Sequence, residues 1–140
     1  MNDNPKNLVN LATLTGRLLL VAMFLVSGFG KLAQYAGTQA YMESAGVPGS
    51  LLPLVIALEI GGALAVAIGW QTRAAALALA GFTLAAAVLF HANFADQIQS
   101  ILFMKNLAIA GGFLFLFAHG AGKLSLDART AAVAPRRVTA

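Results

Sequence analysis

Hydrophobic residues form four long blocks along the chain, separated by short polar stretches. The blocks cover about residues 11–33, 51–70, 74–91 and 101–119. Each approaches the roughly 20 residues that a helix needs to cross a bilayer. Helices joined by such short connections pack as antiparallel neighbours. The pattern therefore predicts an all-α fold, an integral membrane four-helix bundle with antiparallel up-down topology.

Composition supports a bilayer as the solvent. Hydrophobic residues make up 59% of the chain and charged residues only 10%, and the mean hydropathy is +0.80. A soluble domain has more surface to cover with polar groups than this balance allows. The chain then divides into an N-terminal segment (1–10), a transmembrane domain (11–126) and a basic tail (127–140), which we expect to be disordered. Between the first two blocks, residues 38–45 predict a short helix at the membrane interface.

Basic residues indicate the orientation of the bundle. With four crossings, most of them lie on one side: Lys6, Arg73, Lys123, Arg129, Arg136 and Arg137. The other side has only Lys31 and Lys105, at helix borders. The positive-inside bias then predicts cytoplasmic N- and C-termini, in a bacterial inner membrane. An alternative stays open, in which the first block is a cleaved signal peptide and three crossings remain.

Several classes of function lack the residues they need. The absence of cysteine excludes disulfide chemistry and thiolate ligands to a metal. His91 and His119 fall at opposite ends of the predicted bundle, so we expect no shared metal site. The net charge of +4 is spread over helix ends rather than clustered, and we expect no nucleic-acid partner. No nucleophile–histidine–acid set is evident, so we expect no catalytic residues and no independent enzymatic activity.

Ionisable residues inside the predicted helices need partners, because each costs on the order of 2.5–3.5 kcal/mol at mid-membrane. Counting about 1.5 Å per residue places Arg17 and Glu59 at similar depths on neighbouring helices. We therefore predict a buried Arg17–Glu59 ion pair, which either staples the bundle or handles a ligand or a proton. Arg17 also begins a stripe expected to face the bundle interior, which continues through Val21, Phe24, Gly28 and Lys31.

A second polar group is expected near the outer ends of the helices. It comprises Lys31, Glu59, His91, Lys105 and Asn106. These residues can line one cavity that opens to the outer face, and they are our candidate ligand-binding residues. For two of these residues an explanation without a ligand also stays open. Lys31 can be a lysine that snorkels to the interface, and His91 an interfacial hydrogen-bonding residue.

Four features of the sequence occur together: Arg17 in the first block, Gly28-Phe29-Gly30-Lys31-Leu32 at its end, Glu59-Ile60-Gly61-Gly62 in the second, and the run from Phe103 to Gly112 that contains Lys-Asn-Leu-Ala-Ile-Ala-Gly-Gly. In this combination the chain resembles the DoxX family of small bacterial inner-membrane proteins. The resemblance implies a four-helix membrane bundle. It also implies a link to redox assemblies, since the family's namesake is associated with a thiosulfate:quinone oxidoreductase complex.

Three functions remain open at this stage. The first is a subunit of a redox-linked membrane assembly that binds a quinone or another amphipathic ligand, with membrane redox proteins or a second copy of the chain as partners. The second is a conduit for a small solute, coupled or not to protons. The third is a structural or assembly protein of the bilayer, whose charges only hold the bundle together.

Overall fold

A computed structural model describes residues 5–133, which are almost entirely helical and contain no strand. The helices are α1 (Pro5–Ala33), α2 (Tyr35–Ser44), α3 (Leu52–Ile68), α4 (Thr72–His91), α5 (Gln97–His119) and α6 (Leu126–Val133), and a 3-10 turn at Gly49–Leu51 leads into α3. Within this part of the chain four helices, α1, α3 with its turn, α4 and α5, are long and apolar enough to cross a membrane. The predicted all-α membrane bundle is confirmed.

The four long helices pack in chain order. α1 lies against α3, α3 against α4, and α4 against α5, which is the most extensive of these interfaces. On the fourth side, the backbones of α1 and α5 come close to each other at only a few positions. The bundle therefore has one loosely packed seam, between its first and last membrane-length helices.

The core lies between apolar faces of these helices. Phe24 of α1 meets Phe113 of α5 edge to face, with ring centroids 5.3 Å apart. Around them the core contains Val21, Ala63, Val66, Leu79 and Leu116. The buried residues of α1 are Arg17, Val21, Phe24 and Gly28, so the predicted interior stripe is confirmed for these four. Large apolar side chains such as Val26 and Phe115 point outward, as expected of surfaces that meet lipid.

The predicted Arg17–Glu59 ion pair does not form. Arg17 Nη1 donates to the carbonyl of Ala121 at 2.9 Å and Nη2 to that of Leu124 at 2.7 Å, whereas Glu59 is paired with Lys31. The prediction failed because it placed Arg17 too deep in the bundle. About 18 Å of α1 precedes Arg17, and the chain that follows α5 packs directly against this residue. Arg17 thus lies where the other helices end, near one surface of the bundle.

Near Arg17, the segment that follows α5 packs against the turn between α3 and α4. We call this end of the bundle the Arg17 end. Gly69 closes α3 with φ +73°. A Cβ there would collide with Ser125 and with Arg17 Nη1, so both conformation and space require glycine. The Gly69 carbonyl accepts from the backbone N–H of Asp127 at 2.8 Å, which fixes the start of α6.

Asp127 of α6 caps a different helix, α4. Its Oδ1 accepts from the backbone N–H of Gln71 at 2.8 Å and its Oδ2 from that of Thr72 at 2.9 Å. Burial alone would raise the pKa of this carboxyl. The hydrogen bonds from Thr72 and Gln71, with the charge of Arg17, outweigh burial and hold the pKa below its ordinary value. Residues 127–133, predicted to be disordered, are therefore part of a helix with a defined contact; 134–140 lie outside the described residues.

Candidate ligand-binding cavity

A cavity of about 480 Å³ lies at the end of the bundle opposite Arg17, which we call the cavity end. All four membrane-length helices contribute to its wall, and α2 lies across it with Tyr41 and Met42. The ring of Tyr41 stacks on Phe90 of α4, with centroids 5.4 Å apart. This volume is in the range of pockets that hold small molecules. The predicted cavity is thus present as a space, and the side of the membrane that it faces stays a prediction.

One wall of the cavity carries an ion pair between α1 and α3. Lys31 Nζ lies 2.9 Å from Glu59 Oε2 and donates to Oε1 at 3.0 Å. Ser27, one turn before Lys31, accepts from the ammonium at 2.6 Å and donates to Glu59 Oε1 at 3.2 Å. The Lys31 side chain keeps 24% of its surface exposed and that of Glu59 only 4%. The carboxylate is therefore neutralised inside the bundle by a cation that reaches toward the solvent.

Close approach of α1 and α3 makes this pair possible. A Cβ on Gly28 would lie 2.6 Å from Ile60 Cγ1 and 3.5 Å from the Cβ of Glu59. Real Cβ atoms do not approach that closely, so a larger residue would displace Ile60 or separate the helices. Gly28 lies one turn before Lys31, at the point where the two helices touch. Its missing side chain therefore brings the ammonium within reach of the carboxylate.

Asn106 supplies a polar group to the other wall. The residue is buried, with 7% exposure, and it lines the cavity. Among the described residues its side-chain amide has no hydrogen-bond partner, whereas Thr83, another cavity residue, donates to the Leu79 carbonyl of its own helix at 2.7 Å. The amide atoms are not among the fully enclosed polar atoms without a partner, so they stay open to the cavity, where a ligand or a water molecule can bond to them. The cavity thus offers both a donor and an acceptor that no described residue satisfies.

His91 and Lys105 complete the polar lining of the cavity. His91 Nδ1 lies 2.8 Å from Gln99 Oε1, and a proton on Nδ1 would leave Nε2 as an acceptor. Lys105 is exposed and borders the cavity from α5. No carboxylate lies within ion-pair distance of it in the described part of the chain. With Glu59 already neutralised by Lys31, Lys105 leaves a positive charge beside the cavity.

All five predicted ligand-binding residues, Lys31, Glu59, His91, Lys105 and Asn106, line this one cavity. Whether they hold a ligand stays a prediction. Sequence reasoning missed Ser27 and Thr38, both of which also line it. The position of Ser27 four residues before Lys31 was a usable signal, because residues so spaced share a helix face. Thr38 gave no comparable signal, since its place depends on how α2 folds back.

Comparison with known proteins supports the same fold. A model of the DoxX family matches residues 12–92. The inner membrane protein YqjF of Escherichia coli (strain K12) is 53% identical over 122 residues, which are 87% of this chain and 94% of that protein. The chain belongs to the DoxX family.

Another DoxX-type relative is the inner membrane protein YphA of Escherichia coli (strain K12). It is 37% identical over 123 residues, which are 83% of this chain and 88% of YphA. No solved structure matches the chain. The DoxX match covers α1 to α4 and therefore Lys31, Glu59 and His91, but it ends before Lys105 and Asn106 on α5. The chain is a DoxX-family inner-membrane protein whose cavity is built by residues inside and beyond that match.

Proposed function

We propose that this DoxX protein is a non-catalytic, ligand-binding subunit of a membrane redox-linked assembly, and that its cavity holds the head of a quinone or a similar amphipathic molecule. The observation that carries the proposal is Asn106. Its side-chain amide lines the cavity and makes no hydrogen bond to any described residue, so it is free to bond to a ligand that brings hydrogen-bonding groups. A quinone carbonyl can accept from the Asn106 amide.

The charges of the cavity support a ligand head with oxygen acceptors. Lys31 is occupied by Glu59 and Ser27, so Lys105 is the cation left for a ligand. Lys105 borders the cavity from α5, the helix that also carries Asn106. Two donors from one helix suit a head group whose oxygen atoms face the same wall.

The apolar lining supports a flat ring with a hydrophobic tail. Phe82 and Phe90 line the cavity together with Val55 and Leu89, and aromatic walls favour an aromatic or quinonoid ring in an offset or edge contact. The cavity end is the one predicted to face away from the cytoplasm. We therefore place the ligand at the outer side of the inner membrane, with both chain termini cytoplasmic.

Native mass spectrometry of the protein, extracted in a mild detergent, tests the proposal. We expect a retained small molecule, and we expect a short-chain ubiquinone added to stripped protein to bind and be retained. Replacing the amide in Asn106→Leu should weaken retention of this probe about tenfold, as the loss of one hydrogen bond to a buried polar group would. Lys105→Met, which keeps the side-chain stem, should weaken it less because the residue is exposed.

Thr83→Val is the matched control. It changes a hydroxyl in the same cavity, but that hydroxyl already bonds to the Leu79 carbonyl, so ubiquinone retention should stay at the wild-type level. Equal retention by Asn106→Leu and the wild type would remove Asn106 as a ligand-binding residue. A wild-type protein that binds no ubiquinone and carries no small molecule from the membrane would refute the proposal.

A further inference from the structure

The loosely packed seam between α1 and α5 contains a second concave surface, at the Arg17 end of the bundle. This seam groove has a volume of about 330 Å³ and is more open than the cavity described above. Gly16, Arg17 and Leu20 line it from α1, and Gly112 and Leu116 from α5. It lies far from Asn106 and the candidate ligand-binding cavity, so whatever it binds is independent of the proposed function.

The seam groove carries positive charge at the level where the helices end. The guanidinium of Arg17 is nine-tenths buried or more, and its hydrogen bonds go to two neutral carbonyls, while the Asp127 carboxylate acts on it through charge without a direct bond. Its Nε is a buried donor without a partner among the described residues. Arg73 lies beside Gly120, which closes the same groove, since a Cβ on that glycine would be 3.7 Å from Arg73 Nε. The groove therefore has one cation, Arg17, in its lining and a second, Arg73, at its edge. None of its lining residues is acidic, and the nearby carboxylate of Asp127 already accepts from two backbone N–H groups at the start of α4.

Gly16 leaves open space along the seam, since a Cβ there would have nothing within 4 Å. Gly112 instead lets Leu20 pack closely, because a Cβ there would lie 3.2 Å from Leu20 Cδ1. From the cationic end the groove continues between apolar side chains, including Leu20, Phe115 and Leu116. The surface thus has a charged head and an apolar trough, in the order that a lipid presents from the interface toward the bilayer core.

We infer that the seam groove is a binding site for one anionic glycerophospholipid, with the phosphate near Arg17 and Arg73 and an acyl chain along Gly16 and Gly112. Basic pockets between membrane helices bind anionic head groups in this way, and each cation near the surface strengthens such binding about fivefold. An acyl chain in the seam also fills the space that α1 and α5 do not fill with their own side chains.

Lipid titration followed by native mass spectrometry tests this site. Delipidated protein is titrated with dioleoylphosphatidylglycerol and, separately, with dioleoylphosphatidylcholine, which has the same chains and no net charge. We expect one phosphatidylglycerol per chain, retained at least about fivefold more strongly than phosphatidylcholine. Gly16→Leu fills the trough and should abolish this preference, and Arg73→Gln should lower it about fivefold.

Gly81→Leu is the matched control, because Gly81 on α4 is also an exposed glycine with nothing within 4 Å of its Cβ. It should retain phosphatidylglycerol as the wild type does. Arg73 is exposed, so its variant tests the site even if Gly16→Leu does not fold. Equal retention of the two lipids by the wild type would overturn the inference. A wild-type dimer that Gly16→Leu dissociates, without a change in lipid preference, would assign the seam to a second copy and overturn it as well.

Discussion

The Lys31–Glu59 pair provides a quantitative test of the structure, because its two side chains differ in burial. The carboxylate side chain is 4% exposed and the ammonium side chain 24%. Removing one partner of a buried pair leaves the other charge without compensation, which costs about 3–5 kcal/mol when that charge cannot reach water. The cost should therefore depend on which residue is replaced.

Lys31→Met leaves the enclosed carboxylate behind and should lower the free energy of unfolding by about 3–5 kcal/mol. Glu59→Gln leaves the lysine, which can extend its flexible stem toward the interface. Its cost should be nearer 1–2 kcal/mol, the range for a lost hydrogen bond to a charged group. The double variant Lys31→Met/Glu59→Gln contains neither charge and should be more stable than Lys31→Met alone.

Proteolysis of the unfolded fraction in mixed micelles, at increasing mole fraction of dodecyl sulfate, measures these differences. The four proteins form a double-mutant cycle, and the coupling energy should exceed about 1 kcal/mol. Two results would contradict the reasoning: a Glu59→Gln variant as unstable as Lys31→Met, or single effects that simply add in the double variant. Either would mean that the ammonium and the carboxylate are not each other's main partner.

Three further predictions concern packing and capping. Gly28→Ala should destabilise the bundle by about 1–3 kcal/mol, because its Cβ would meet Ile60. Gly30→Ala is the control and should not destabilise it, since a Cβ on Gly30 has open space around it. The same unfolding assay compares the two variants. Gly69→Ala should cost more than Gly28→Ala, since it adds a left-handed φ of +73° to a collision. Asp127 stabilises the fold through a lowered pKa. The stabilisation is present above the unfolded pKa of about 3.9 and is lost as the pH falls through the lower pKa of the folded protein. Measured between pH 2 and 7, the free energy of unfolding of the wild type should therefore fall with acid by this amount. In Asp127→Asn this part of the pH dependence should be absent.

Hydrophobic blocks were sufficient to predict the four crossings, because span length is a property of the sequence alone. They also predicted the buried face of α1, since helical spacing sets which residues share a face. The depth of Arg17 could not be read in the same way. The apolar block begins near residue 11, but the bundle ends near Arg17, and only the packing of the chain after α5 reveals that difference.

The partner of Glu59 could not be read from one hydrophobic block, because it depends on the point at which α1 and α3 touch. Lys31 and Arg17 lie on the same stripe of α1 by their spacing, so the sequence allows either cation to face α3. The choice follows from where α1 and α3 touch, which is at Gly28, one turn from Lys31. Asp127 was missed for a similar reason, because a helix cap is normally sought immediately before its helix and this one is 55 residues away from Thr72.

The contacts of Arg17 also have a consequence for how the protein is made. Its acceptors, the carbonyls of Ala121 and Leu124, lie 104 and 107 residues further along the chain. A nascent chain inserts from its N-terminus, so the first helix enters the membrane with a guanidinium whose acceptors have not yet been synthesised. A ribosome that stops after α5 would release all four membrane-length helices with this charge unsatisfied. We expect such truncated chains to be degraded faster than the full chain in a pulse-chase experiment. The unpaired Arg17 of the first helix would then distinguish incomplete chains from complete ones.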